Sequence, residues 1–148
     1  MSQADATIDL DTSLGYLLKE ASSALHASME EVLRPLGMNI THYSCLELLS
    51  QRPGLSNSEL ARGAFVTRQS MNVLLHSLER DGIVTRADRP ESGRALPTAL
   101  TAKGRAQLAM ASAAVKGIEE RMLAEFSSAE RATFGEYLAR SVASLRAG

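Results

Sequence analysis

The chain has little cysteine and no long apolar run, and both absences narrow its class. It contains one cysteine among 148 residues. A single cysteine cannot form an intrachain disulfide, which agrees with a reducing compartment. No stretch is long and apolar enough to span a membrane, and no charged segment precedes an apolar one at the N-terminus as in a secretory signal. We therefore expect a cytoplasmic protein.

Signatures of catalysis and of metal binding are also missing. The sequence has no glycine-rich phosphate-binding loop and no paired-cysteine metal motif. His42 and Cys45 lie three positions apart on one predicted helix, so they could meet as nucleophile and base or as half of a metal site. The other two histidines, His26 and His76, lie on other predicted elements. We expect no enzymatic activity, no metal and no cofactor.

Charge is distributed unevenly along the chain, although the formal net charge is only −1. Between Arg52 and Arg105 there are nine basic residues against five acidic ones, a local net charge of +4. The rest of the chain has seven against twelve, a net charge of −5. A basic region of this kind is what a nucleic-acid-binding surface requires.

Residues 55–101 predict a helix, a tight turn, a second helix, and two strands joined by a polar loop. Ser56 and Glu59 form the S-x-x-E pattern of a capping box, which starts the first helix. Thr67 is a suitable N-cap for the second helix. That helix ends at Gly82, where a left-handed residue is favoured. The order of elements is that of a winged helix-turn-helix, so we expect a mainly α protein (α+β) with a two-stranded β wing.

The second helix of this pair has one apolar and one polar face. Its apolar residues recur at helical spacing, which predicts a buried face. Arg can donate two hydrogen bonds to guanine, and Gln or Asn can pair bidentately with adenine. The polar face can also be an ordinary solvated surface. For DNA binding, we expect base contacts from Arg68, Gln69 and Asn72, and phosphate contacts from Thr67 and Ser70.

The predicted wing, residues 86–94, carries several arginines on a loop with turn-forming residues. An arginine on such a loop suits a narrow minor groove, where the negative potential is enhanced. We expect this role for Arg94 and for Arg89. The alternative is a solvated hairpin whose arginines pair with nearby carboxylates. Ser56 and Asn57, at the start of the first helix, could bind a phosphate.

The flanking segments are predicted to be apolar helices that need a partner. Thr41 is the predicted N-cap of the helix preceding the winged region. We expect a flexible segment at 1–12, a helical dimerisation region at 13–36 and 102–147, and a DNA-binding lobe at 40–101. A second copy is the simplest partner, and an intrachain bundle is the alternative. The apolar stripes are Leu14, Leu17, Leu18, Ala21, Leu25, Met29, Val32 and Leu33; then Leu108, Ala111, Val115, Ile118 and Met122; then Phe134, Leu138, Val142 and Leu145.

Four stretches together resemble the multiple-antibiotic-resistance regulator (MarR) family of bacterial transcription factors. They are Pro-Leu-Gly-Met-Asn-Ile-Thr-His-Tyr, Leu-Ser-Asn-Ser-Glu-Leu-Ala, the run from Val66 to Val84, and Ser-Gly-Arg-Ala-Leu-Pro-Thr-Ala-Leu-Thr-Ala-Lys-Gly. Order and spacing agree over nearly the whole chain. The family wing often reads Asp-x-Arg, whereas this chain has Ser92-Gly93-Arg94, so Ser replaces the Asp that would orient the arginine.

The resemblance implies a bacterial homodimer with interleaved termini, associated with the nucleoid when it is bound to DNA. It implies binding to a pseudo-palindromic operator, usually as a repressor, and release by a small aromatic or drug-like ligand. The ligand cleft would lie between the dimerisation helices and the winged helix, although its residues can equally be ordinary core. Alternatives are a redox-switched regulator that senses oxidants through Cys45, and an interaction module that does not bind DNA. The implied pocket residues are Leu25, Met29, His42, Tyr43, Leu46, Met71 and Leu75.

Overall fold

The computed structural model describes residues 7–86 and 98–148 and contains six α-helices and two strands in those ranges. They are α1 (Leu14–Leu33), a 3-10 turn (Arg34–Leu36), α2 (Ile40–Gln51), α3 (Asn57–Gly63), α4 (Arg68–Arg80), β1 (Val84–Arg86), β2 (Thr98–Leu100), α5 (Ala102–Met122) and α6 (Ser128–Ala147). The strands pair antiparallel, with Val84 opposite Leu100. The predicted mainly α winged helix-turn-helix with a two-stranded sheet is confirmed.

Side-chain caps define where the helices begin. The Ser56 hydroxyl accepts from Glu59 N at 3.2 Å, and Ser56 N donates to the Glu59 carboxylate at 3.0 Å, as the capping box predicts. Thr67 caps α4 by accepting from Ser70 N at 3.0 Å. The prediction that Thr41 caps α2 is wrong, because Asn39 Oδ1 accepts from His42 N at 2.8 Å and starts the helix earlier.

One hydrophobic core joins the winged helix to the end of α1 and the first part of α5. Two members of the stripe predicted on α5, Leu108 and Ala111, are buried in this core, and Val115 packs against it. The first half of α5 is therefore part of the same packed unit as the recognition helix. The fully buried large side chains are Leu33, Cys45, Leu46, Leu60, Met71, Leu75, Leu78 and Val84.

The start of α5 is held against the residues that follow α4, chiefly by hydrogen bonds from side chains to backbone groups. The Thr101 hydroxyl donates to the Gly82 carbonyl at 2.6 Å and accepts from Gly104 N at 3.0 Å. A Cβ on Gly104 would lie 2.2 Å from the Ile83 carbonyl oxygen, so only glycine permits this approach. Lys103 Nζ also donates to the Asp81 carbonyl at 3.0 Å. These contacts fix α5 to the winged region.

The chain divides into two compact units, Met1–Val115 and Lys116–Gly148, with the boundary inside α5. In the second unit, the Arg131 guanidinium donates to Glu120 at 3.0 Å and to the Leu123 carbonyl at 2.9 Å. A second capping box, Ser127 with Glu130, starts α6. No residue of α6 is fully buried, and no helix among the described residues has the length and apolar character needed to cross a membrane.

Candidate nucleic-acid interface

The N-terminal end of α4 presents a polar surface to solvent. Arg68, Gln69 and Ser70 are exposed, whereas Met71 and Leu75 on the opposite face are completely buried. Burial of one face fixes the orientation of the helix, because turning it would expose the apolar side chains to water. Arg68, Gln69 and Ser70, three of the residues that the sequence assigned to DNA, are therefore held on the outward face.

Thr67 and Ser70 share one hydrogen-bonded cap. The Thr67 hydroxyl donates to Ser70 Oγ at 2.9 Å while it accepts from Ser70 N. The Thr67 proton is thus occupied, and the Ser70 hydroxyl keeps its own proton to donate outward. Of these two predicted phosphate ligands, Ser70 is the better placed.

Asn72 and Asn57 bond to each other between α3 and α4. Asn57 Nδ2 donates to Asn72 Oδ1 at 2.6 Å. Bidentate pairing with adenine needs both the oxygen and the nitrogen of an amide. This bond directs the Asn72 oxygen toward α3, which disfavours bidentate pairing, and it takes one amide proton of Asn57 from any phosphate.

The groups of Ser56 that the sequence assigned to a phosphate are used in the capping box. Its hydroxyl and its backbone N–H both bond to Glu59. The backbone N–H of Ser56, and then its hydroxyl, lower the pKa of Glu59 below its ordinary value. The ionised carboxylate at the start of α3 repels phosphate and disfavours the role predicted for Ser56.

Among the wing arginines, Arg89 and Arg94 lie outside the described residues, and Arg86 turns inward. Arg86 lies on β1 opposite Thr98. Its Nε and Nη2 atoms are buried, and so is the Thr98 hydroxyl; none of the three has a hydrogen-bond partner in the described part of the chain. The charge of Arg86 acts on Cys45 of α2. Buried guanidinium nitrogens are costly unless something accepts their hydrogen bonds.

Two predicted pocket residues of α2 are held by side-chain hydrogen bonds, one to α5 and one within α2. His42 Nε2 bonds to Gln107 Oε1 at 3.2 Å, and the Tyr43 hydroxyl donates to Glu47 at 2.5 Å. Burial lowers the pKa of His42, although Gln107 and Asp81 act in the opposite direction. Leu25 and Met29 are half-buried on α1, whereas Leu46, Met71 and Leu75 are completely buried core residues.

Cys45 is buried, and its thiol is expected to be unreactive. Burial raises the pKa of its thiol to about 12, and the nearby Arg86 lowers it only in part. Oxidants react with the thiolate form, and a thiol with so high a pKa forms little thiolate at neutral pH. The redox alternative is therefore not supported. His42, three residues earlier, bonds to Gln107 through its ring Nε2.

The sequence of this chain is similar to those of known proteins. A profile of the MarR family matches residues 36–95. The HTH-type transcriptional repressor Rv2887 of Mycobacterium tuberculosis is 43% identical over 128 residues, which is 86% of this chain and 92% of that protein. The chain belongs to the MarR family. This confirms the resemblance stated from the sequence.

Two crystal structures of Rv2887 extend this MarR-family comparison. The complex with DNA matches with a TM-score of 0.72 and 38% identity, covering 88% of this chain and 98% of that chain. The complex with salicylic acid matches with a TM-score of 0.73 and 42% identity, covering 88% and 96%. The fold of this MarR-family chain thus agrees with that of a relative solved with each kind of molecule.

Sequence reasoning missed three residues of this MarR-family protein. Arg86 was placed on the wing surface, although the alternation of a strand puts it on the same face as the buried Val84. Val73 is 66% exposed on α4, and its spacing of four from Gln69 could have placed it on the polar face. Phe65 is 85% exposed with φ 60° in the turn before α4, where no sequence signal indicated a left-handed residue.

Proposed function

We propose that this MarR-family protein is a transcriptional repressor that binds a pseudo-palindromic operator as a homodimer and releases it when a small aromatic acid binds. The observation that carries the proposal is the polar N-terminal end of α4, exposed while the opposite face is completely buried. A helix held in this way can enter a major groove with its first residues toward the bases. The Rv2887 structure with DNA supports this role.

In this proposal the exposed residues of α4 contact either bases or phosphates. Arg68 and Gln69 contact base edges, and Ser70 donates to a phosphate through its free hydroxyl proton. The wing arginines Arg89 and Arg94 contribute in the minor groove. The net charge of +4 between Arg52 and Arg105 attracts the DNA backbone to this part of the chain.

The homodimer is supported by apolar surface at both ends of the chain. On α6, Leu138 is 39% exposed and Leu145 is 82% exposed, and no residue of the helix is fully buried. At the start of α1, Leu14, Leu17 and Leu18 are exposed as well. Large apolar patches of this kind mark association surfaces, and a two-fold pairing covers the same patch on both copies.

An acid is favoured as the effector because Nε and Nη2 of Arg86 have no acceptor among the described residues. A carboxylate can take two parallel hydrogen bonds from one guanidinium. The Arg86 guanidinium is close enough to α2 to act on Cys45, and α2 carries the predicted pocket rings of His42 and Tyr43. The complex of Rv2887 with salicylic acid supports this ligand class. Arg86, with Thr98 beside it, is therefore our candidate for the carboxylate anchor.

A gel shift on the DNA upstream of the protein's own gene, with and without salicylate, tests the proposal. We expect salt-dependent, sequence-selective binding that salicylate weakens. By linkage, the operator must weaken salicylate binding by the same factor. Arg86→Met should keep DNA binding and lose the response, whereas Arg34→Met, which removes an exposed arginine outside the basic region, should keep both. If the protein shows no salt-dependent binding to DNA, the proposed DNA-binding role is wrong. If salicylate still weakens DNA binding by Arg86→Met, only the role of Arg86 as carboxylate anchor is wrong.

A further inference from the structure

We propose that Asn57 sets the base preference of α4 by fixing the orientation of the Asn72 amide. Asn72 then reads hydrogen-bond acceptors in the major groove, and Asn57 is a positioning residue that acts through it. The inference rests on the proposed DNA binding and specifies which base atoms one position recognises.

The contact is held from both sides. Asn57 is the first residue of α3, whose start is fixed by the capping box of Ser56 and Glu59. Asn72 lies on α4, which is anchored by the buried Met71 and Leu75. Asn57 Nδ2 donates to Asn72 Oδ1 at 2.6 Å, and both residues are half-buried. Neither helix can turn to release the bond without exposing core.

The direction of this hydrogen bond decides what Asn72 can read. A side-chain amide has one oxygen acceptor and an NH₂ group with two donors. The oxygen of Asn72 is directed to α3, so its Nδ2 supplies the donors that remain. Those donors match guanine O6 and N7, adenine N7 and thymine O4, whereas the N4 amine of cytosine and the N6 amine of adenine need an acceptor.

Gln69 provides an internal contrast on the same helix. It is exposed, and it has no hydrogen-bond partner within the described residues. Its amide can turn either way and can pair bidentately with adenine. The two amides of α4 therefore differ in their contacts, although their chemistry is the same. The Asn72 amide has its oxygen bonded to Asn57, whereas no such bond orients the Gln69 amide.

Asn57→Asp inverts the contact and tests the inference. A carboxylate only accepts hydrogen bonds, so Asn72 must turn its Nδ2 toward α3 and its Oδ1 outward. We expect the preference at the base pair read by Asn72 to shift toward bases that present an amine, on the order of tenfold in relative affinity. An acidic residue in the first turn of a helix is favourable, so the variant should fold.

The measurement is affinity for a panel of duplexes with single base-pair substitutions across the operator. Asn72→Ala identifies the base pair concerned. Ser58→Asp is the matched control, because it adds the same charge on the neighbouring residue and should lower affinity for all duplexes alike. Asn57→Asp combined with Asn72→Ala should show no shift beyond that of Asn72→Ala.

The outcomes separate this inference from the proposed function. A shift in Asn57→Asp that is absent from Ser58→Asp and from the Asn72→Ala background supports the positioning role. A uniform loss like that of Ser58→Asp, or an unchanged preference in Asn72→Ala, overturns it. Failure of the unaltered protein to bind DNA selectively overturns the proposed function instead. Asn57→Ala is the second variant, and we expect it to broaden the preference because it frees the amide.

Discussion

The same capping pattern starts α3 in the winged region and α6 at the end of the chain, but the two helices differ in burial. Ser56 with Glu59 and Ser127 with Glu130 form equivalent pairs of hydrogen bonds. Although α3 has only seven residues, it places Leu60 in a completed core, whereas α6 has twenty residues and buries none of them fully. Local signals therefore define both helices, but only the winged region acquires its tertiary stability within one chain.

The largest effect we expect comes from a charge in the apolar face of α6. Leu138→Glu places a carboxylate where a second copy would pack, and an unpaired charge in such an interface is strongly unfavourable. We expect the protein to become monomeric at micromolar concentration and to lose operator binding. Light scattering with size-exclusion chromatography measures the change.

Val73→Glu is the control for this substitution. It introduces the same charge at another exposed aliphatic residue, on α4 rather than α6, and should leave the dimer intact. If the unaltered protein is a folded monomer, or if Leu138→Glu is still a dimer, the apolar face of α6 does not need a second copy. The difference that we draw between α6 and the winged region would then be wrong.

The next effect compares two glycines of α5. Gly104→Ala forces a Cβ against the Ile83 carbonyl, 2.2 Å away, and should lower the free energy of unfolding by about 3 kcal/mol. Gly117→Ala meets nothing within 4 Å and should raise it by about 1 kcal/mol, because alanine is the better helix former. Urea denaturation at one fixed protein concentration measures both. Equal shifts would contradict the close contact between α5 and the Ile83 carbonyl.

Much of the fold was predictable because its signals are local. The capping boxes, the Thr67 cap and the left-handed Gly82 each depend on a few neighbouring residues, and the structure has all of them. The cap of α2 was assigned to Thr41 instead of Asn39, since two adequate capping residues lie close together. The role of Gly104 depends on a carbonyl more than twenty residues away, which no local pattern shows.

The candidate site was less predictable, because its chemistry depends on which side chains meet. The sequence placed Arg68 and Gln69 correctly on the outward face. It could not show that Asn57 and Asn72 bond across fifteen residues or that Gln107 engages His42. The alternation of β1 places Arg86 on the same face as the buried Val84, but an arginine is ordinarily assigned to the surface. The burial of its Nε and Nη2 atoms opposite Thr98 depends on tertiary packing.

A smaller effect is expected at Phe65, an exposed apolar residue in the otherwise completed winged region. It adopts φ 60°, a conformation that costs a bulky residue about 1–3 kcal/mol. Because its side chain is 85% exposed, little burial offsets the strain. Phe65→Gly should raise the free energy of unfolding by about 1 kcal/mol, after allowance for the greater freedom of glycine in the unfolded chain. Phe65→Ala, which keeps the Cβ, should gain little in the same urea titration, and equal gains would mean that the backbone is not strained.

The smallest effect we expect is a pH dependence from His42 at the contact between α2 and α5. Burial lowers the pKa of His42 in the folded protein, partly offset by Gln107 and Asp81, while the unfolded chain keeps a value near 6.5. Above about pH 6.5 the ring is neutral in both states, and its contribution to stability is fully present. As the pH falls further, the unfolded chain takes up a proton that the folded protein does not, so the free energy of unfolding decreases.

His42→Gln removes this titration and keeps an amide that can donate to Gln107. We expect its stability to change less than that of the unaltered protein between about pH 7 and pH 5, measured by urea denaturation at a concentration that keeps the dimer. Glu47, Glu59 and Glu130 have lowered pKa values, so their contributions are lost only as the pH falls through still more acidic values. If the stabilities of the two proteins change equally between about pH 7 and pH 5, His42 is solvated in the folded protein. The hydrogen bond between His42 and Gln107 would then no longer count among the contacts that hold α2 against α5.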